Sequence, residues 1–166
     1  MVSTEDVKRL RGETGAGVMD AKRALETANG DFEAAREVLR EAGIASAAKR
    51  ADRETGEGLV ESYIHGEGRI GALVEINCET DFVARTEGFR QLAKDVAMQV
   101  AAMGPLALEP EDVPAEAPGA AKDNALMTQS FIKDNSRTIG DLVRDTIAQT
   151  GENVRITRFS RFELGS

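Results

Sequence analysis

The chain has 166 residues, of which 41% are hydrophobic, 30% charged and only 4% aromatic, with a formal net charge of −8. Those proportions exclude a disordered polymer and allow one ordinary domain, or a small domain joined to a medium one. The acidic balance argues against direct nucleic-acid binding over a large surface. A single cysteine, Cys78, excludes an intrachain disulfide and a cysteine-based metal cluster.

Residues 3–41 have the pattern of a compact helical unit. Ser3 is a candidate N-cap with Asp6 three residues on, and Val7 and Leu10 mark a first short helix. The glycine-rich run Gly12 to Gly17 is expected to end it. A second helix is predicted from Met19 to Ala28, broken by Asn29-Gly30. Asp31 then caps a third through Arg40, with Gly43 as its C-cap. Residues 44–57 are Ala-rich and charged, as in a connecting helix or linker.

From residue 59 the apolar period changes to two. Leu59 to His65 and Arg69 to Cys78 are predicted as an antiparallel hairpin around Gly66-Glu67-Gly68. Ile70, Ala72, Val74 and Ile76 share one of its faces. Residues 81–103 return to helical spacing, with Phe82, Phe89, Leu92, Ala93, Val96, Val100 and Met103 as a stripe. Residues 104–120 hold all four prolines and several unopposed carboxylates, which predicts an exposed acidic loop. A short helix is expected around Ala125–Met127, then a helix after Ser136 ending at Gly151. A final strand is predicted from Val154 to Leu164. Simple alternation puts Val154, Ile156 and Phe162 on one of its faces and Phe159 on the other. The fold class is therefore α+β. A three-helix bundle spans 1–43, a linker 44–57, and a core of a small antiparallel three-stranded sheet with packed helices 58–166.

Three constellations invite chemistry. Gly12–Gly17 has the span of a phosphate loop but lacks the following Lys-Ser/Thr and any preceding strand, so a tight turn is the better reading. Glu75, Glu79 and Asp81 cluster near a strand end without a histidine, which favours solvated carboxylates over a metal or acid–base site. Thr80-Asp81-Phe82-Val83 stands where a strand hands over to a helix. Thr80 or Asp81 caps that helix. Phe82 is either the first member of the core stripe or an aromatic anchor for a partner, and spacing leaves both open.

Four segments together resemble the translation elongation factor Ts family: Leu10–Lys22 with Gly30–Ala35, Cys78–Arg85, Ser130–Asp134, and Gly151–Val154 leading into Arg158-Phe159 and Arg161-Phe162. The resemblance implies a guanine-nucleotide exchange factor for the GTPase elongation factor Tu; the single cysteine and the lack of a signal-peptide-like apolar run in Met1 to Leu10 make the cytoplasm its expected location. The resemblance implies no covalent chemistry, no cofactor and no metal of its own. The helical unit looks like that family's ubiquitin-associated-type domain, which docks on the GTPase. Arg11 and Met19 match contact positions, within a docking segment that includes Gly15 and Val18. Asp81 and Phe82 match the pair that wedges near the magnesium site, flanked by Thr80 and Val83. In this light the anchor reading of Phe82 gains over the core one. Longer members carry a second core copy. This chain looks like the short form, in which two chains pair through their core sheets, so a homodimer is implied. Neither a nucleic acid nor a membrane is an expected partner. A helix-binding adaptor and a metal-dependent hydrolase are the competing readings.

Overall fold

The computed structural model describes residues 2–166. They form a mixed α/β protein in which three N-terminal helices precede a three-stranded antiparallel sheet with packed helices. Two compact units divide it. One comprises residues up to Arg53 together with Arg144–Asn153; the other comprises Glu54–Val143 and Val154–Ser166.

In the first unit, α1 (Thr4–Thr14) starts from a capping box. The Ser3 hydroxyl accepts from the Asp6 N–H, and the Asp6 carboxylate accepts from the Ser3 N–H. The helix continues through Gly12 and ends only at Gly15, whose φ of 70° suits the left-handed cap. The glycine-rich run therefore ends the helix at Gly15 and not at its first glycine. A lone glycine costs only ~1 kcal/mol of helix propensity, and Gly12 lies between good helix positions. Helix α2 (Val18–Thr27) ends at Asn29 and Gly30, both at positive φ. Helix α3 (Phe32–Arg50) is capped by Asp31, which accepts from the Ala34 N–H at 2.8 Å.

Gly43 is interior to α3 rather than its C-cap, and the Ala-rich stretch after it is the same helix. Nothing near Gly43 forces a positive φ, and the alanines that follow favour continuation. The core of this unit is small: Val7, Leu10, Ala21, Ala24, Leu25 and Ala35 are buried, with Phe32, Val38 and Leu39 packed on them. Small alanine faces let the helices approach closely around the two leucines. The 144–153 segment is tied in by polar bonds. Arg50 Nε donates to the Gly151 carbonyl, and the buried Asn153 amide donates to the carbonyls of Ala51 and Arg53.

The second unit is built on strands β1 (Glu57–His65), β2 (Ile70–Cys78) and β5 (Val154–Glu163), in the order β1-β2-β5 with both pairings antiparallel. Ala72, Val74, Ile76 and Cys78 form the buried face of β2, as period two predicts. Between β2 and the acidic loop lie α4 (Asp81–Ala84) and α5 (Glu87–Met103). Helix α5 packs on the sheet through Phe89, Leu92, Ala93, Val96, Ala97 and Val100. The helical stretch expected over 81–103 is thus two helices, with a break at Arg85-Thr86. Phe82 lies outside the stripe and Phe89 begins it.

Gly104, at φ 54°, caps α5. The acidic loop follows, with a single 3-10 turn at Pro110–Asp112. The segment expected to be helical around Ala125–Met127 instead has a short helix α6 (Ala121–Asn124) followed by a 3-10 turn at Leu126–Thr128. A small ladder of β3 (Ser130–Phe131) and β4 (Asp134–Thr138) leads into α7 (Ile139–Thr150), which ends at Gly151. Gln99, fully buried on α5, holds that ladder. It donates to the Gln129 side chain and the Ser130 carbonyl and accepts from the Ile132 N–H.

The final strand departs from simple alternation. Glu75 pairs with Arg158 while Ile76 pairs with Ile156, so Thr157 is an extra residue in a β-bulge. The bulge shifts the side-chain phase by one. Phe159, opposite Val74, joins Val154 and Ile156 on the helix-covered face, and Phe162, opposite Gly71, moves to the other face. The expected grouping of Phe162 with Val154 and Ile156 is corrected accordingly. The open face then carries Val60, Ile64, Leu73 and Phe162, all exposed.

Candidate functional site

Helix α4 is a four-residue pedestal between the buried end of β2 and the long α5. Thr80 has extended backbone and accepts from the Val83 N–H through its hydroxyl, closing the start of the helix. Cys78, fully buried at the end of β2, donates its thiol to the Thr80 carbonyl at 3.1 Å. Val83 and Ala84 are buried and pin the inner side of α4. Phe82 points the other way and is 81% exposed. Asp81 is half-buried, and its carboxylate pairs with Arg85 at 2.9 Å.

The four residues Thr80, Asp81, Phe82 and Val83 thus divide by geometry. Phe82 projects, Asp81 stands beside it, Thr80 caps the helix and Val83 anchors it in the core. A phenyl ring so largely exposed leaves most of the roughly 1.5–3 kcal/mol of its burial free energy unrealised in the free chain.

The second candidate segment lies at the α1–α2 corner of the first unit. Arg11, exposed near the end of α1, donates from Nε to the Ala16 carbonyl at 3.3 Å and so braces the corner. Gly15 supplies the left-handed turn. Val18 and Met19 open α2 with their side chains largely in solvent, Met19 at 64% exposure. Two adjacent apolar side chains held outward beside a bracing arginine make a compact contact patch. Met is well suited to it, since its unbranched side chain adapts to a partner surface.

The carboxylates considered for metal chemistry are not gathered. Glu75 lies on the open sheet face and is bound by Arg158 at 2.6 Å, while Asp81 is held by Arg85. Among the described residues no group of three or more His, Cys, Asp and Glu side chains could hold a metal ion. No described helix is long and apolar enough to cross a membrane. Pairing through the core sheet is implied by the resemblance, but the residues of its open face were not identified from the sequence. Its apolar residues Val60, Ile64 and Leu73 alternate correctly in β1 and β2, but Phe162 joins them only through the bulge.

An exposed aromatic on a short capped helix of one unit and, separately, an exposed apolar helix corner on the other suit a protein-binding protein. The model of the family described as elongation factor TS matches residues 33–119. Proteins named elongation factor Ts from Caldanaerobacter subterraneus subsp. tengcongensis and Carboxydothermus hydrogenoformans are 47% and 48% identical to this chain. Their alignments cover 99% of this chain and 98% and 90% of the relatives. One from Rubrobacter xylanophilus is 45% identical over 96% of this chain and 97% of its own length. The chain belongs to the elongation factor Ts family. Membership implies, in general terms, nucleotide exchange for elongation factor Tu in translation. The first of those alignments spans 195 positions against the 166 residues here, so that relative carries internal residues which this chain lacks.

Proposed function

We propose that this chain binds elongation factor Tu in its GDP form and releases the nucleotide by wedging Phe82 and Asp81 beside the magnesium and phosphate site. The observation that supports this reading most is the placement of Phe82, solvent-exposed on a helix that is capped at its start and buried on its inner side. An aromatic presented this way inserts into a cleft with little entropy left to lose. Asp81, beside it, brings a negative charge toward groups that hold Mg²⁺ and phosphate. The chain needs no covalent chemistry for this. It is an exchange factor, and the work is done by differential binding. A factor that binds the empty GTPase more tightly than the GDP-bound one weakens GDP binding by the same ratio.

A typical coupling of ~1–3 kcal/mol amounts to only ~5–150-fold. Fast exchange therefore calls for more than one contact. Arg11, Gly15, Val18 and Met19 supply the second, docking the ubiquitin-associated-like helical unit on the GTPase while the wedge acts. The open sheet face supplies a homodimer contact. Ile64 and Phe162 flank the bare backbone of Gly71, with Leu73 and Val60 alongside, which suits face-to-face packing on a second copy. The partners of this reading are the GTPase and the chain itself, in the cytoplasm, with no direct contact to nucleic acid or membrane.

The experiment is the release of a fluorescent GDP analogue from elongation factor Tu. Catalytic amounts of this chain should accelerate release in proportion to its concentration. Binding to elongation factor Tu without acceleration would instead fit an adaptor.

A further inference from the structure

Helix α4 is too short to hold its own orientation. Four residues leave almost every backbone group at an end, and isolated helices of this length do not persist in water. Something outside the helix must fix the direction in which Phe82 points. On the strand side that is the Cys78 thiol, which holds the Thr80 carbonyl. On the α5 side, besides the burial of Val83 and Ala84, it is Thr86. Thr86 Oγ1 donates to the Val83 carbonyl at 2.7 Å, the penultimate carbonyl of α4, and accepts from the Phe89 N–H at 3.3 Å, in the first turn of α5. Its backbone N–H donates to the same Val83 carbonyl at 3.0 Å. Thr86 therefore closes α4 and opens α5 at once. Phe89 is fully buried, so the bond to its N–H refers the exposed helix back to the core.

We infer that Thr86 is a positioning residue for nucleotide exchange: its hydroxyl locks α4 onto α5 so that Phe82 is presented in one fixed direction. The inference rests on the wedge reading of Phe82 and deepens it. Thr86 is four residues from Phe82 in sequence and acts through the pedestal. Loss of the hydroxyl frees α4 to swing about the Arg85-Thr86 break, and a misplacement of an ångström at an anchor is enough to cost a large factor in rate.

The test uses the full chain and elongation factor Tu carrying a fluorescent GDP analogue, with release followed as a function of factor concentration. Each variant is assayed well below its own melting midpoint, measured by circular dichroism. Thr86→Val, close in shape but without the hydroxyl, should lower the plateau rate by about tenfold or more. Its half-saturating concentration should change little, because docking through the helical unit is untouched. Thr86→Ser, whose hydroxyl can still donate to the Val83 carbonyl and accept from the Phe89 N–H, should keep the plateau to within about twofold, whereas Thr86→Asp, able to cap α5 but not to donate to that carbonyl, should not. If the branched valine prevents folding, Thr86→Ala makes the same comparison.

The decisive arm is the double variant. On a Phe82→Ala background, Thr86→Val should cost less than about twofold more, since residues acting as a unit are not additive. An unchanged plateau in Thr86→Val, failure of Thr86→Ser to keep it, full rescue by Thr86→Asp, or a full additional loss on the Phe82→Ala background would each overturn the assignment. If Phe82→Ala alone released GDP as fast as the unsubstituted chain, the wedge reading itself would fall and take this role with it. An impaired Phe82→Ala beside an unimpaired Thr86→Val would remove only Thr86.

Discussion

Two apolar side chains of similar size stand at opposite extremes. Leu25 is fully buried in the small helical core, and Phe82 is almost fully exposed. Their substitution by alanine should therefore have opposite signatures. Leu25→Ala removes a large part of a core whose other members are mostly alanine. It should destabilise the helical unit by about 2–5 kcal/mol, read as a lower midpoint of urea denaturation followed by helical circular dichroism. Phe82→Ala removes a ring that touches mainly water, so stability should move by no more than about 0.5 kcal/mol. Met19→Ala belongs with Phe82, with near-native stability and weaker binding to elongation factor Tu, measurable by calorimetric titration. Sequence chemistry left Phe82 undecided because position 82 falls on the same helical phase as Phe89. Only the break at Arg85-Thr86, which no apolar pattern announces, separates them.

At the level of elements, the legible features were those with strong local chemistry. Ser3 with Asp6, Asp31, Gly104 and Gly151 mark helix ends where side-chain caps or positive φ leave little choice. Gly43 misled because glycine also occurs inside helices, where only its context tells whether a turn is needed. The bulge at Thr157 was hidden for a different reason. Register is a relation between two strands, and one strand's alternation cannot report an extra residue. Gly58 in β1 illustrates a requirement that is visible only in the fold. Its φ is 147°, and a Cβ there would stand 2.1 Å from the Ile76 carbonyl oxygen. Gly58→Ala should loosen the β1–β2 pairing and lower the thermal midpoint, with a cost of about 1–3 kcal/mol. Amide exchange in β1 should speed up with it. An unaltered midpoint would mean that the strand shifts without penalty.

For the molecule as a whole, the acidic charge has a consequence beyond its choice of partner. Asp6 and Asp134 are held below their ordinary 3.8 by the hydroxyls of Ser3 and Ser136 and by the backbone N–H groups beside them. Glu13 and Glu37 are held below 4.5, Glu13 by Arg36 and then Arg9, Glu37 by Arg40. A carboxylate with a depressed folded value stabilises the fold above its unfolded value and loses that contribution as pH falls through the folded one. Glu109 works in the opposite sense. Burial and the neighbouring Glu111 and Asp112 raise it, so its protonation favours the fold. Four groups against one predict a thermal midpoint that is flat near neutrality and falls below about pH 4.5. The assembly question also belongs at this scale. Phe162 is 68% exposed on the open sheet face. If that face pairs two chains, Phe162→Glu should convert a dimer to a monomer in sedimentation equilibrium while leaving the fold intact. A monomer before substitution, at every concentration, would contradict the pairing.

In the proposed function a solvent-exposed ring, and not the fold around it, drives nucleotide release. The most direct measurement compares the unsubstituted chain and Phe82→Ala for release of a fluorescent GDP analogue from elongation factor Tu, with melting curves of both proteins alongside. The account predicts release slowed by about tenfold or more, as for loss of a hot-spot aromatic, with superimposable melts. Equal release rates, or a loss of rate matched by a collapse of the melting midpoint, would contradict it.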